Sequence, residues 1–174
     1  EFDLTTQKFK TLLQGNVDAI YFNEKLYIGK REEVFVYNES TGNFDLYYHL
    51  AGKDITLSCL HLDEKKNLWM GTTSNGLYCL SGDKKISQPV TRGNIASIYE
   101  DSSKELWICT WEEGLYRIKT DSTIENFRHD PKNPNSICTD FVRSCCEDNA
   151  GNLWIGTFHG LNRYEKSTGK FQLY

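Results

Sequence analysis

The chain has 174 residues, of which 13% are aromatic and only three are prolines, so the composition predicts a packed domain rather than a disordered segment. The formal net charge is −4, and the lysines and arginines are scattered, which argues against nucleic acid as a partner. No apolar stretch is long enough to span a membrane and no signal peptide is evident, and because the chain opens at Glu1 we expect a piece of a longer protein.

The predicted elements follow one scheme along the chain. Residues 7–13 resemble the outer strand of a unit that precedes the others. Four similar units then follow, at residues 16–50, 54–91, 93–130 and 137–174. Each contains four short runs rich in β-branched and aromatic residues, separated by Gly, Asn, Asp and Ser, which is the pattern of strands joined by hairpin turns.

One phrase marks the second strand of every unit. It occurs as Leu26-Tyr27-Ile28-Gly29, Leu68-Trp69-Met70-Gly71, Leu106-Trp107-Ile108-Cys109 and Leu153-Trp154-Ile155-Gly156. Its leucines are 42, 38 and 47 residues apart, a period typical of the four-stranded blade of a β-propeller. We therefore predict an all-β fold of four antiparallel four-stranded blades that stack to bury their faces.

The repeats resemble the two-component regulator propeller repeat. The fourth unit carries the resemblance most fully, with Gly151-Asn152-Leu153-Trp154-Ile155-Gly156-Thr157, then Gly160-Leu161-Asn162-Arg163-Tyr164, then Thr168-Gly169-Lys170-Phe171. The first unit departs from it, with Tyr27 in place of tryptophan and Glu33 in place of glycine.

This resemblance implies a seven-bladed ring, of which the four blades would be an incomplete arc. It also implies the periplasmic sensor region of a hybrid two-component histidine kinase. Many members of the family recognise oligosaccharides and relay the signal to a kinase elsewhere in the chain, whose membrane helix supplies the only contact with the membrane. The remaining blades and domains of that longer chain would then be partners of this one.

Residues that break the repeat are the better candidates for a site, because residues shared by every blade serve the scaffold. The aligned Asp63, Asp101 and Asp148 are thus expected to hydrogen-bond the backbone of hairpin turns. The loops between second and third strands, and those that connect blades, cluster on one face of a propeller. From these loops we predict a ligand site that combines aromatic rings for stacking on sugar with polar groups for reading hydroxyls; its residues are Trp111, Arg31, Glu112, Phe158, His159 and Arg143. The alternative role of Trp111 and Phe158 is packing against the neighbouring blade, and that of the charged residues Arg31, Arg143 and Glu112 is a solvated surface position.

No catalytic, metal or cofactor site is predicted. The four histidines are dispersed, and no nucleophile elbow or phosphate-binding glycine loop occurs. The six cysteines lack C-x-x-C spacing, and we expect most to be free, with Cys145 acting as a small buried hydrophobe and Cys138 more exposed.

Three functions are compatible with these features. The first is a non-catalytic ligand-sensing propeller with an oligosaccharide or another small ligand. The second is a scaffold for protein–protein interaction or a homodimer, suggested by aromatic residues on the outer strands, namely Tyr47, Tyr48, Phe127 and Tyr174. The third is a propeller lyase, which requires a cluster of histidine and acidic residues near the axis that the sequence does not show.

Overall fold

The computed structural model describes residues 2–3, 8–9, 16–52, 54–83, 85–88 and 90–174. The regular structure of these residues consists of strands throughout. In chain order they are β1 (Phe2–Asp3), β2 (Lys8–Phe9), β3 (Ala19–Asn23), β4 (Lys25–Lys30), β5 (Glu33–Asn38), β6 (Asn43–His49), β7 (Leu57–Leu62), β8 (Leu68–Thr72), β9 (Leu77–Leu80), β10 (Ile86–Ser87), β11 (Ile95–Glu100), β12 (Leu106–Thr110), β13 (Leu115–Ile118), β14 (Ile124–Phe127), β15 (Val142–Glu147), β16 (Leu153–Thr157), β17 (Gly160–Glu165) and β18 (Lys170–Leu173).

Sixteen of these strands form four antiparallel meanders. Blade 1 is β3–β6, blade 2 is β7–β10, blade 3 is β11–β14 and blade 4 is β15–β18, and within each blade the strands are paired in chain order. We refer to the four strands of a blade as A to D. The predicted all-β fold of four-stranded antiparallel blades is confirmed. Of the predicted outer strand over residues 7–13, only Lys8–Phe9 is described, paired with Phe2–Asp3; the rest lies outside the described residues.

The blades pack in sequence through their A strands. Strand β3 packs on β7, β7 on β11, and β11 on β15. Within the described residues, blade 4 does not pack on blade 1, so the arc is open. The A strand of blade 1 consequently exposes Ile20 (69%) and Phe22 (72%), whereas the equivalent Leu60 and Leu62 of blade 2 are buried beneath blade 1. The expectation of an incomplete arc is confirmed, and the seven-bladed ring stays a prediction.

The hydrophobic core is divided among the junctions between blades. The best sealed lies between blades 3 and 4, where the fully buried ring of Trp107 stacks on Phe127 with centroids 5.9 Å apart and meets the edge of Tyr164 at 5.3 Å. Truncating a buried aromatic of this size costs about 3–5 kcal/mol of stability. The equivalent Trp154 of blade 4 packs on Tyr174 of its own blade and is only half-buried, because no further blade covers it.

The acidic turn between strands A and B is a scaffold element in three blades. The carboxylates of Asp63, Asp101 and Asp148 each accept the indole N–H of the tryptophan six residues later, at 2.9, 2.9 and 2.8 Å. Asp101 and Asp148 also accept the backbone N–H two residues on, each at 2.9 Å, which confirms their expected role in the turn. One carboxylate thus fixes both the hairpin and the ring that seals the core.

Candidate functional site

The turns between strands B and C lie beside the connections that lead into the A strands. The backbone N–H of Trp111, in the B–C turn of blade 3, donates to the carbonyl of Asn94 at 3.1 Å. In blade 4 the N–H of Phe158 donates to the carbonyl of Phe141 at 3.2 Å. These bonds gather the loop residues of each blade on one face, as propeller geometry predicts.

Threonine and glycine fix the B–C turns of blades 2 and 3. The buried hydroxyl of Thr110 donates to the carbonyl of Gly114 at 2.7 Å and accepts the N–H of Glu113 at 3.0 Å. Gly114 has a φ of +79°, and a Cβ there would lie 2.2 Å from the carbonyl oxygen of Phe127. The loop that begins with Trp111 is therefore held on a rigid base rather than presented on a free segment.

An aromatic–arginine cluster, made of Trp111, Phe141, Arg143 and Phe158, spans the loop faces of blades 3 and 4. The Trp111 and Phe158 rings have centroids 5.6 Å apart, and Phe141 meets Phe158 edge-on at 6.0 Å. The guanidinium carbon of Arg143 lies 4.4 Å from the Trp111 centroid and 5.4 Å from that of Phe158. This geometry is that of a cation–π contact, which holds the guanidinium over the rings.

The cluster remains accessible from solvent. Phe158 is 55% exposed and Phe141 is 41% exposed, while Trp111 is half-buried. Among the described residues Arg143 makes no ion pair, so its N–H groups are available to an incoming acceptor. The ion pair between Arg128 and Asp140, at 2.7 Å, stabilises the connection into blade 4. The arrangement offers apolar ring faces beside a positive hydrogen-bond donor.

The structure brings together three of the six predicted site residues, Trp111, Phe158 and Arg143. His159 is exposed next to Phe158 and makes no ring contact within the described part of the chain. Glu112 has an exposed side chain, and its backbone carbonyl accepts a hydrogen bond from Arg128 at 3.3 Å.

Arg31 lies apart from the cluster, in the B–C turn of blade 1. Its backbone has a φ of +53°, and its N–H donates to the Asp18 carboxylate at 2.6 Å. Phe141 is the member of the cluster that was absent from the predicted site. Its position in the connection leading into an A strand was the available signal, because that connection borders the B–C turn of the same blade.

The six cysteines are thiols rather than disulfides. All six are free, which confirms the expectation that most would be. Burial raises the pKa of Cys59 to about 12 and that of Cys79 to about 11, so both thiols are held protonated at neutral pH. Cys138 is half-buried and accepts a hydrogen bond from the Asn162 amide at 3.0 Å, and it is Cys146 that is exposed.

Two further properties concern the described residues as a whole. No group of three or more His, Cys, Asp or Glu side chains in them is arranged to hold a metal ion. They also form no helix with the length and apolar character that crossing a membrane requires.

Two segments of the chain match a known family of repeats. The family model described as two component regulator propeller matches residues 90–112 and 136–159. No curated protein sequence matches the chain.

Solved structures of similar fold include the extracellular domains of two hybrid two component systems from B. thetaiotaomicron. The chain is 23% and 24% identical to them, with TM-scores of 0.76 and 0.74, over 93% of its own length in both cases. It spans 24% and 23% of those two domains, about a quarter of each. Virginiamycin B lyase from Staphylococcus aureus is similar at 16% identity and a TM-score of 0.71, over 91% of this chain and 55% of the lyase. At these identities the likeness shows the propeller fold.

Proposed function

We propose that the chain is a non-catalytic, ligand-binding part of an extracytoplasmic sensor, because the two component regulator propeller model matches two of its segments, residues 90–112 and 136–159. Its ligand is an oligosaccharide, and the longer protein relays the binding event to a kinase. The similarity to extracellular domains of hybrid two component systems supports this role and a periplasmic location.

The observation that carries the proposal is the aromatic–arginine cluster. Sugars present C–H faces that stack on aromatic rings and hydroxyl groups that accept hydrogen bonds from arginine. Trp111 and Phe158 supply the rings, and Arg143 is held beside them without a carboxylate partner in the described residues. Adjacent blades each contribute to this surface, which suits an extended ligand.

Calorimetric titration of the chain against a panel of plant, host and microbial oligosaccharides tests the proposal. We expect saturable binding to at least one, and a loss of about tenfold or more in affinity for Trp111→Ala, because a central aromatic anchor contributes well over 1 kcal/mol. Arg143→Lys keeps the charge but loses the planar donor array, so a smaller loss is expected.

Phe22→Ala is the matched control, since Phe22 is an exposed aromatic on blade 1 outside the cluster. Binding that Phe22→Ala and Trp111→Ala weaken equally would refute the site. Binding unaffected by Trp111→Ala would leave these blades as scaffold, and absence of binding to every glycan would refute the sensing role.

A second candidate function is a protein–protein interaction scaffold. The exposed apolar residues on the open side of blade 1, Ile20 and Phe22, favour it because propeller blade faces are normally covered. Among the aromatic residues that suggested this function, Phe127 is instead part of the core against Trp107, whereas Tyr174 is 57% exposed. Sedimentation that shows a concentration-independent monomer would count against self-association.

The lyase alternative rests on fold likeness alone. Its test is incubation with a streptogramin B, followed by chromatography of the antibiotic. Consumption of the antibiotic would overturn the non-catalytic proposal.

A further inference from the structure

The side of the arc opposite the aromatic–arginine cluster carries the A–B turns, and there Lys166 closes the junction between blades 3 and 4. Its ammonium lies 2.8 Å from Asp101 Oδ2 and 2.7 Å from Glu147 Oε1. Burial opposes the charge of Lys166, but the bonds to both carboxylates outweigh it and raise the lysine pKa. A pair of carboxylates at a blade junction therefore binds a primary ammonium within this molecule.

The junction between blades 2 and 3 repeats the carboxylates without the lysine. Asp63 and Glu100 occupy the positions of Asp101 and Glu147. The strand registers, in which Leu106 pairs with Ile118 and Leu153 pairs with Tyr164, place Thr120 where blade 4 has Lys166. Threonine is too short to reach the carboxylates. A cavity of about 570 Å³ lies at this junction, lined by both acids and by Thr120.

The cavity has an apolar floor. Trp69, Leu106 and Ile118, each at most 8% exposed, line it, and the half-exposed Ile124 forms part of its wall. These apolar side chains form a surface on which an aliphatic stem can lie while its charged end reaches Asp63 and Glu100. Burial of such a stem removes apolar surface from water and therefore favours binding.

Two of the three lysines that line the cavity are paired with carboxylates other than Asp63 and Glu100. Lys119 pairs with Glu125 at 2.5 Å, and Lys104 pairs with Glu64 at 3.6 Å. Glu100 has His61 Nε2 at 3.5 Å, and burial lowers the pKa of that imidazole, which favours its neutral form.

Three other groups lie near the acids, namely the Trp69 indole, the Asn67 amide and Lys65. Asp63 accepts the Trp69 indole and the Asn67 amide on the same oxygen, at 2.9 and 2.8 Å. The exposed Lys65 lies at the rim of the cavity. Asp63 also accepts the backbone N–H of Asn67 at 2.8 Å, whereas Glu100 accepts one long bond, from the backbone N–H of Glu64 at 3.5 Å. Of the two acids, Glu100 is thus the less hydrogen-bonded, and we expect it to be the main ligand.

We propose that this cavity binds a primary ammonium on an aliphatic stem, with the ammonium at Glu100 and Asp63 and the stem on Trp69, Leu106 and Ile118. The occupant takes the place that Lys166 fills one junction further along. Linear diamines and a lysine side chain share this chemistry. The site lies on the face opposite the aromatic–arginine cluster and is independent of glycan binding.

Titration of the isotopically labelled full chain with cadaverine, followed by nuclear magnetic resonance, tests the proposal. The indole N–H signal of Trp69 should shift saturably, while that of Trp107, whose junction already holds Lys166, should not. Pentanol, which has the stem without the charge, should bind at least about tenfold more weakly, as loss of a charged hydrogen bond predicts. N-acetyl-lysine amide distinguishes the sources, since tighter binding than cadaverine would indicate a protein partner.

Three variants sharpen the result. Glu100→Gln should weaken cadaverine binding about tenfold, whereas Glu147→Gln, the same change one junction away, should not. Thr120→Lys should abolish binding by supplying the ammonium in the same chain. An unchanged Trp69 signal, equal binding of pentanol, or equal effects of Glu100→Gln and Glu147→Gln would each overturn the proposal.

Discussion

Removing the Asp101 carboxylate should destabilise the protein more than any other change at an acidic turn. Its side chain is fully buried and accepts hydrogen bonds from the Trp107 indole at 2.9 Å and from the backbone N–H groups of Ser103 and Glu105 at 2.9 and 3.0 Å. It also pairs with Lys166 at 2.8 Å. In Asp101→Ala these donors lose their acceptor together, and a lysine loses half of its charge compensation.

The expected cost is about 3–5 kcal/mol, the range for breaking a buried ion pair by removing one partner. Because the four contacts share one carboxylate, their separate values do not add. Urea unfolding followed by circular dichroism measures the loss. For a chain this size, such a change shifts the midpoint of unfolding by more than about 1 M.

Asp148→Ala is the matched control. Asp148 makes the same bonds to its turn and to Trp154 but has no lysine partner among the described residues, and no blade covers it. Its loss should therefore be clearly smaller. A cost below about 1 kcal/mol for Asp101→Ala, or equal costs for the two variants, would refute the view that this buried carboxylate holds blades 3 and 4 together.

Three further changes test the turns and the ion pair. Lys104 has a φ of +65° where blade 4 has Gly151, so Lys104→Gly should raise thermal stability by about 1 kcal/mol; an unchanged or lower melting temperature would contradict this. Gly114→Ala should cost at least about 2 kcal/mol in urea unfolding, since its Cβ meets backbone at 2.2 Å; a neutral effect would show that the connection moves freely. Burial opposes the charge of Asp101, but hydrogen bonds from Lys166 and Trp107 outweigh it and lower the pKa of Asp101 below 3.8. The contribution of Asp101 to the free energy of unfolding is therefore full above pH 3.8 and is lost as the pH falls through the lower pKa of the folded state. The urea midpoint should drop accordingly in acid, and less so in Lys166→Met; an identical acid dependence would exclude this pair as the cause.

The fold could be predicted from the sequence because the repeat occurs four times and covers nearly all of the chain. The Leu-Trp phrase, with Tyr27 in place of tryptophan in blade 1, predicts strand B of each blade, and the runs of apolar residues around it predict strands A, C and D. The bond from Asp101 to Trp107 was not predicted, although the turn role of the aspartate was. Turn propensity concerns neighbouring backbone groups, whereas the indole reaches the carboxylate only after strands A and B have paired.

The candidate site was predicted in part for a related reason. Trp111 and Phe158 interrupt the repeat in equivalent turns, which a sequence comparison of blades reveals. That Arg143 lies over both rings, and that Phe141 joins them, depends on how the connection into blade 4 crosses the B–C turn. The cavity at Thr120 required alignment of the turns between strands C and D, where the four units differ in length.

The tryptophans of the B strands can report on unfolding through their fluorescence, because the emission wavelength of an indole depends on its burial. Trp69 is in contact with residues of blade 3 and Trp107 with residues of blade 4, whereas Trp154 packs on Tyr174 of its own blade, so each indole reports on a different part of the arc. If unfolding starts at blade 4 and proceeds towards blade 1, the emission maximum of Trp107 shifts to longer wavelength before that of Trp69. In variants that keep a single tryptophan, the emission wavelength would report when the junction at that tryptophan opens. The order of the wavelength shifts would then give the order in which the blades unfold.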